Sequence, residues 1–309
     1  MTGQRIKPAA EGSMLDRQLA RIAGLGAFVF ESVEEVRRRQ ADLLARLEPN
    51  AWFRRLHAKL QRCTPERCGG NRCVEVCAFA DWQRRLHLIP AAYRLIDKAD
   101  GPAYEVRVVR GIWARPIEEL REVSITAAKQ LNRRTLDSLY IPSLVAVGTF
   151  KVSLGSRHLE PHWVCEIHQI VAGAKREELE DAFTRTWGKE KYDSVVRVKK
   201  IKDVGRALND VFKADLHGWQ HPEYPDGAPA QPTKGHREEF YRWLFSLSLG
   251  ERMIRYGCDR YLNRLKKKPR VIRPKVYKPR PYPFWLTRFM FGNRGQPSEE
   301  PRRRHRQDD

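Results

Sequence analysis

A chain of 309 residues with 41% hydrophobic content has the apolar mass for a sizeable core, which excludes disorder throughout and allows one or two domains. The formal charge of +21 favours a polyanionic partner. Nucleic acid fits better than a membrane, because the longest apolar run, residues 22–30, is too short to span hydrocarbon and residues 1–11 lack the basic-then-apolar order of a secretory signal.

Residues up to 12 read as a flexible lead. Ser32 and Glu35 then form a capping-box pattern, in which the serine and the glutamate satisfy free amides at a helix start, and a helix is expected to about residue 47. A second helix is expected over 51–61, where Trp52, Phe53, Leu56 and Leu60 recur at helical spacing and serve as packing.

Cys63, Cys68, Cys73 and Cys77 follow, four of the six cysteines within 15 residues. Soft ligands joined by short loops suit tetrahedral Zn²⁺, and Gly69 and Gly70 give the backbone room to fold round an ion. Reduced cysteines used as small packing groups are the alternative, with redox chemistry a third. With no spanning run and no secretory signal the cytoplasm is the expected location, and cysteines that read as a metal cluster before a disulfide framework do not argue otherwise. Trp82, Arg84, Arg85 and His87 come next and allow two readings, contact with DNA or a solvated face.

From residue 104 the pattern becomes regular. A strand is expected over 104–113, and Pro116 is expected to open a helix with Ile117, Leu120, Val123, Ala127 and Leu131 on one face. Strands over 144–154 and 162–172, a helix over 175–187, a strand over 194–201 and a helix over 203–216 complete the run. The order β, α, β, β, α, β predicts an α+β fold. Its plan is the split βαβ arrangement of a ferredoxin-like antiparallel sheet, with helices on one face and one helix added.

A loop rich in Pro and Gly follows residue 216, and residues 237–268 read as mostly helical, carrying Tyr256 and Tyr261. Residues 264–309 hold 15 Lys and Arg against 4 Asp and Glu, with Pro and aromatic residues interleaved. Such a tail is either an extended arm, with charges for phosphate and rings for bases, or a solubilising disordered segment. Four regions result: a helical N-terminal part with the Cys cluster (1–100), an α+β domain (101–217), a loop with basic helices (218–268), and a basic, Pro-rich, flexible tail (269–309).

The central stretch is 159–173, LEPHWVCEIHQIVAG. On a strand, alternation puts Glu166 and His168 on one face and Cys165, Ile167 and Gln169 on the other. A carboxylate and an imidazole at that spacing can share one divalent cation, with His162 just upstream as a third ligand. The alternative is a polar strand face buried against a helix and hydrogen-bonded internally.

The Cys cluster, the strand order, PHWVCEIHQIVAG and the later FKADL together resemble the rolling-circle replication initiators of bacterial plasmids, which belong to the HUH endonuclease superfamily. The resemblance covers roughly residues 63–256. In that family two histidines around a hydrophobic residue hold Mg²⁺ or Mn²⁺ against a scissile phosphate, and a tyrosine on a later helix attacks the phosphate. The resemblance implies that Glu166 and His168 hold the ion, with a carboxylate in place of the first histidine. It sets the helix motif on Asn209, Asp210 and Lys213. The lysine is kept, whereas neither Asn209 nor Asp210 can form a tyrosyl phosphodiester, which leaves Asp210 as the conceivable nucleophile. Val152, Ser153 and Leu154 stand where the family has an acid, and Val106, Arg107, Val108 and Val109 where its first strand is threonine-rich. The implied protein binds single-stranded or hairpin origin DNA, with its nicking activity left open. A zinc-stabilised RNA-binding or ribosome-associated protein without nuclease activity is the competing expectation.

Overall fold

The computed structural model of the chain describes residues 14–25, 30–47, 53–65, 68, 73, 76–109, 115–116, 119–157, 160–187, 195–214, 232–247 and 249–258. The expected lead to residue 12, Gly69 and Gly70, the loop over 217–231, Tyr261 and the basic tail lie outside these residues. Helices α1 (Met14–Ala23), α2 (Val33–Arg46), α3 (Phe53–Gln61) and α4 (Ala78–Asp97) precede the sheet. Strands β1 (Ala103–Val109), β2 (Arg115–Pro116), β3 (Val145–Arg157), β4 (Glu160–Ala172), β5 (Val195–Lys200) and β6 (Met253–Tyr256) build it. Between them lie α5 (Ile125–Asp137), α6 (Arg176–Trp187), α7 (Val204–Phe212), α8 (Lys234–Ser246) and the single turn α9 (Leu249–Arg252).

The capping box at α2 forms as its sequence dictates. The Ser32 hydroxyl accepts from the Glu35 amide at 3.2 Å, and the Glu35 carboxylate accepts from the Ser32 amide at 2.7 Å. Two other segments depart from the sequence reading. Residues 82–87 belong to α4, a helix of 20 residues in which Trp82 and Arg85 are buried, so neither is available to DNA. Pro116 opens no helix: β2 pairs Arg115 with Trp163 and Pro116 with His162, and α5 begins at Ser124, whose hydroxyl accepts from the Ala127 amide. A residue without an N–H suits a short edge pairing as well as a helix start.

The strands pair antiparallel in the order β5-β1-β4-β3-β6, with β2 also on β4. Strand β4 is therefore central, hydrogen-bonded along its length to β3 and flanked on its other side by β1. One face of the sheet sends Val106, Val108, Phe150, Cys165 and Ile167 into a core shared with Ala128 and Leu136 of α5 and Leu179 and Phe183 of α6. The other face sends Val145, Val147, Ile170 and Ala172 against Leu88, Ile89 and Ala92 of α4 and Leu208 and Val211 of α7. Helices thus cover both faces, where the sequence reading has them on one. Residues 253–256 are strand, not helix, and Tyr256 of β6 stands opposite Ala146 of β3.

A buried amide pair fixes the central strand to α5. Asn132 and Gln169 exchange two hydrogen bonds, at 3.0 and 2.9 Å, inside the apolar layer. The space for it comes from Gly148, directly across on β3: a Cβ there would overlap Gln169 Cβ and the His168 carbonyl.

Candidate metal centre and polar sheet face

The four clustered thiols converge. Cys63 follows the end of α3, Cys77 is the N-cap of α4, and the sulfurs of Cys63, Cys68, Cys73 and Cys77 all lie within 4.8 Å of one another. The Cys63–Cys73 and Cys68–Cys77 sulfur separations are 3.5 and 3.8 Å, far beyond a disulfide bond. They match the roughly 3.8 Å edge of a tetrahedron with metal–sulfur bonds of about 2.3 Å. The four cysteines are close enough to bind one metal ion such as zinc. Burial and the neighbouring Cys73 push the Cys63 thiol up to about 12, and hydrogen bonding to Cys68 and Cys73 together with burial pushes Cys77 up as well. Four thiols this close cannot all ionise alone; a divalent cation supplies the charge that lets them.

The polar face of β4 is a second cluster. Cross-strand register sets His168 between Arg107 of β1 and Thr149 of β3, and Glu166 between Val109 and Lys151. His168 Nε2 meets Glu105 Oε1 at 2.7 Å, and Glu105 also receives Arg107 at 2.7 Å. The hydrogen bond with His168 is the main cause holding the Glu105 carboxyl at about 2, against the opposing effect of burial. Burial pushes His168 down to about 3. The pair is therefore a neutral imidazole donating from Nε2 to a carboxylate, and not an ion pair. Nδ1 of His168 keeps its lone pair, buried and without a hydrogen-bond partner among the described residues.

Burial also raises the Glu166 carboxyl and lowers Lys151 to about 8. Lys151 donates to the Asp210 carbonyl and Thr149 to the Val211 carbonyl, so both side chains serve the C-terminal end of α7, where the helix dipole welcomes a cation. His162 is on the same strand but six residues from His168, about 20 Å along the chain direction, and the structure does not bring it to Glu166 and His168.

The motif assigned to α7 is engaged elsewhere. Asn209 Oδ1 accepts from Arg85 Nη1 at 2.6 Å. Arg85 in turn meets Asp81 at 3.1 Å and Glu31 at 2.5 Å, and Arg39 bridges the same two acids at 3.2 and 3.1 Å. Asp210 is exposed, with its carbonyl taken by Lys151, and Lys213 is the C-cap of α7, its amide bonded to the Asn209 carbonyl. Tyr256 directs its hydroxyl to Asp137 at 2.8 Å, on the α5 side of the sheet edge.

Sequence reasoning misses Glu105, Lys151 and Arg197. Their signal is register, since Arg107 stands directly opposite Arg197 of β5, and Glu105 opposite Lys199, all on the His168 face. Among the described residues no helix is long and apolar enough to cross a membrane. No protein-family model, curated protein or solved structure matches the chain.

Proposed function

We propose that the chain is a ferredoxin-like, single-strand-binding protein akin to rolling-circle initiators, which takes DNA phosphates on the β1–β5 half of its polar face. The observation that carries this reading is the direct opposition of Arg107 and Arg197. Like charges facing each other across two strands destabilise a sheet; Glu105 offsets Arg107 at 2.7 Å but leaves the face in positive excess, which an anionic partner turns into affinity. Lys199 adds a third cation on the exposed edge. The split βαβ plan is supported by the order β5-β1-β4-β3 of the strands that α5 and α6 connect.

A Mg²⁺ or Mn²⁺ ion would find Glu166 and the buried Nδ1 of His168 on this face. Two ligands, with the Lys151 cation opposite Glu166, fall short of a site that holds a bare hard ion. Nor does α7 offer a tyrosine, and Asn209 is tied to Arg85. The reading is therefore binding without strand cleavage. Zinc at the four cysteines would fix α3 to α4 and so hold the N-terminal helices on the sheet.

The test is incubation with a pool of labelled single-stranded DNA, with and without Mn²⁺. We expect binding, no cut product and no covalent adduct, and a salt slope that falls by roughly 1.4 when Arg107 and Arg197 are both changed to Ala. An unchanged slope would remove the sheet face from the interface. Tighter binding of structured RNA would move the protein to the competing class.

A further inference from the structure

A cleft of about 310 Å³ opens on the α5 side of the sheet, away from both clusters. One wall is the short 3-10 turn Leu120–Glu122 and the start of α5, and the other is the last turn of α8. Ile125, Trp243 and Phe245 make it apolar, Arg121 and Arg242 are its charged members, and no acidic side chain lines it. Its volume is at the lower end of the roughly 300–1,000 Å³ that ligand sites occupy.

The chemistry of that lining is selective. Phe245 is 38% exposed and lines the cleft. Arg121 is exposed and makes no ion pair with a described residue, whereas Arg242 is held over the Phe53 ring at 5.4 Å with Glu238 at 3.8 Å. Trp243 is buried along one wall. A neutral peptide segment or an uncharged acyl chain would use the apolar walls and leave the arginines idle. A nucleotide uses both, with a flat base for the rings and a phosphate for the guanidinium groups.

We propose that this cleft holds one nucleotide of a bound single strand, its base against Phe245 and its phosphate toward Arg121 and Arg242. The proposal rests on the nucleic-acid-binding reading and adds a contact remote from Arg107 and Arg197, so the two are separable by experiment. Anisotropy of a labelled short oligothymidylate, titrated with the full chain, reads the affinity. Phe245→Ala should weaken binding by about five-fold or more at unchanged salt slope, as loss of one stacked base requires. Arg121→Ala should lower the slope by roughly 0.7, one phosphate contact on a single strand. Photo-cross-linking with a 5-iodouracil-substituted oligonucleotide should label the α8 peptide that contains Trp243 and Phe245.

If wild type binds but Phe245→Ala binds equally well and the cross-link maps outside α8, the cleft proposal falls and the broader reading stands. If Phe245→Ala leaves oligonucleotide affinity alone while lowering the melting temperature, the cleft belongs to another part of the chain and the proposal is overturned. Wild-type protein that binds no single strand would overturn both.

Discussion

Arg85 and Asn209 are joined by a 2.6 Å hydrogen bond between residues 124 positions apart, and through it the N-terminal helices grip α7. Arg85 is buried and is the cation on which Glu31 and Asp81 both converge. Replacing it with Ala leaves Glu31 and Asp81 to Arg39 alone in a low-dielectric pocket and takes the donor from Asn209. We expect a loss of about 3–5 kcal/mol in urea unfolding, against about 0.5 kcal/mol or less for the half-buried neighbour Arg84. A small effect at Arg85 would show that the network is not what holds α4 to α7.

Acid should unfold the protein in two overlapping stages. Burial pushes His168 down to about 3, well below its ordinary 6.5, so as the pH falls through that window the unfolded chain takes up the proton first and stability declines. Asp81 behaves as a depressed acid: burial pushes it up, Arg85 and Arg39 outweigh burial, and its carboxyl is held at about 2, against an ordinary 3.8. Its contribution, roughly 2 kcal/mol, is present above about pH 4 and is lost as the pH falls toward 2. Urea midpoints at about pH 7 and about pH 5 should differ, and His168→Gln should shrink that difference. An undiminished difference would place the titrating group elsewhere.

Purified chain should carry one zinc ion. Cys77→Ser should lower that stoichiometry and the melting temperature by about 5 °C or more, and chelator should act on wild type in the same way. Because the free thiols are pushed upward, zinc affinity should fall steeply as the pH drops, with proton release on binding. Metal-free protein that melts like the loaded form would reduce the cysteines to packing groups.

Gly148→Ala tests the amide pair at the centre of the sheet. The added methyl meets the β4 backbone and the base of Gln169, so β3 and β4 must separate or the Asn132–Gln169 pair must break. A cost of about 2–3 kcal/mol is expected in urea unfolding. A double variant that also carries Gln169→Ala should recover none of it, since alanine keeps the Cβ and the backbone atoms that the added methyl meets.

What was legible in the sequence follows the range of the forces involved. The Ser32–Glu35 box, the alternation of β4 and the pairing of β3 with β4 rest on neighbours a few residues away, and all of them form. Strand β6 is four residues long and gains its identity from β3, about a hundred residues earlier, so its own pattern says little. Helix α4 hides for the opposite reason: buried on almost every side and interrupted by Pro90, it has no polar stripe to reveal a period. At the candidate site the Glu166 and His168 spacing was readable, whereas the Glu105 partner reaches His168 diagonally from β1 and is fixed only by register. His162 misleads because nearness in sequence along a strand is distance in space.

The last strand of the sheet has a consequence for synthesis. Strand β3 ends at Arg157 and its outer neighbour β6 starts at Met253, so at ribosomal rates β3 waits on the order of 5–20 s with its outer hydrogen-bonding groups uncovered. During that interval Ala146 and Val147 belong to a bare edge that a second nascent chain can join. Slower elongation over the segment between them would lengthen the exposure and lower the soluble yield, an effect that depends on codons and not on any residue of the mature protein.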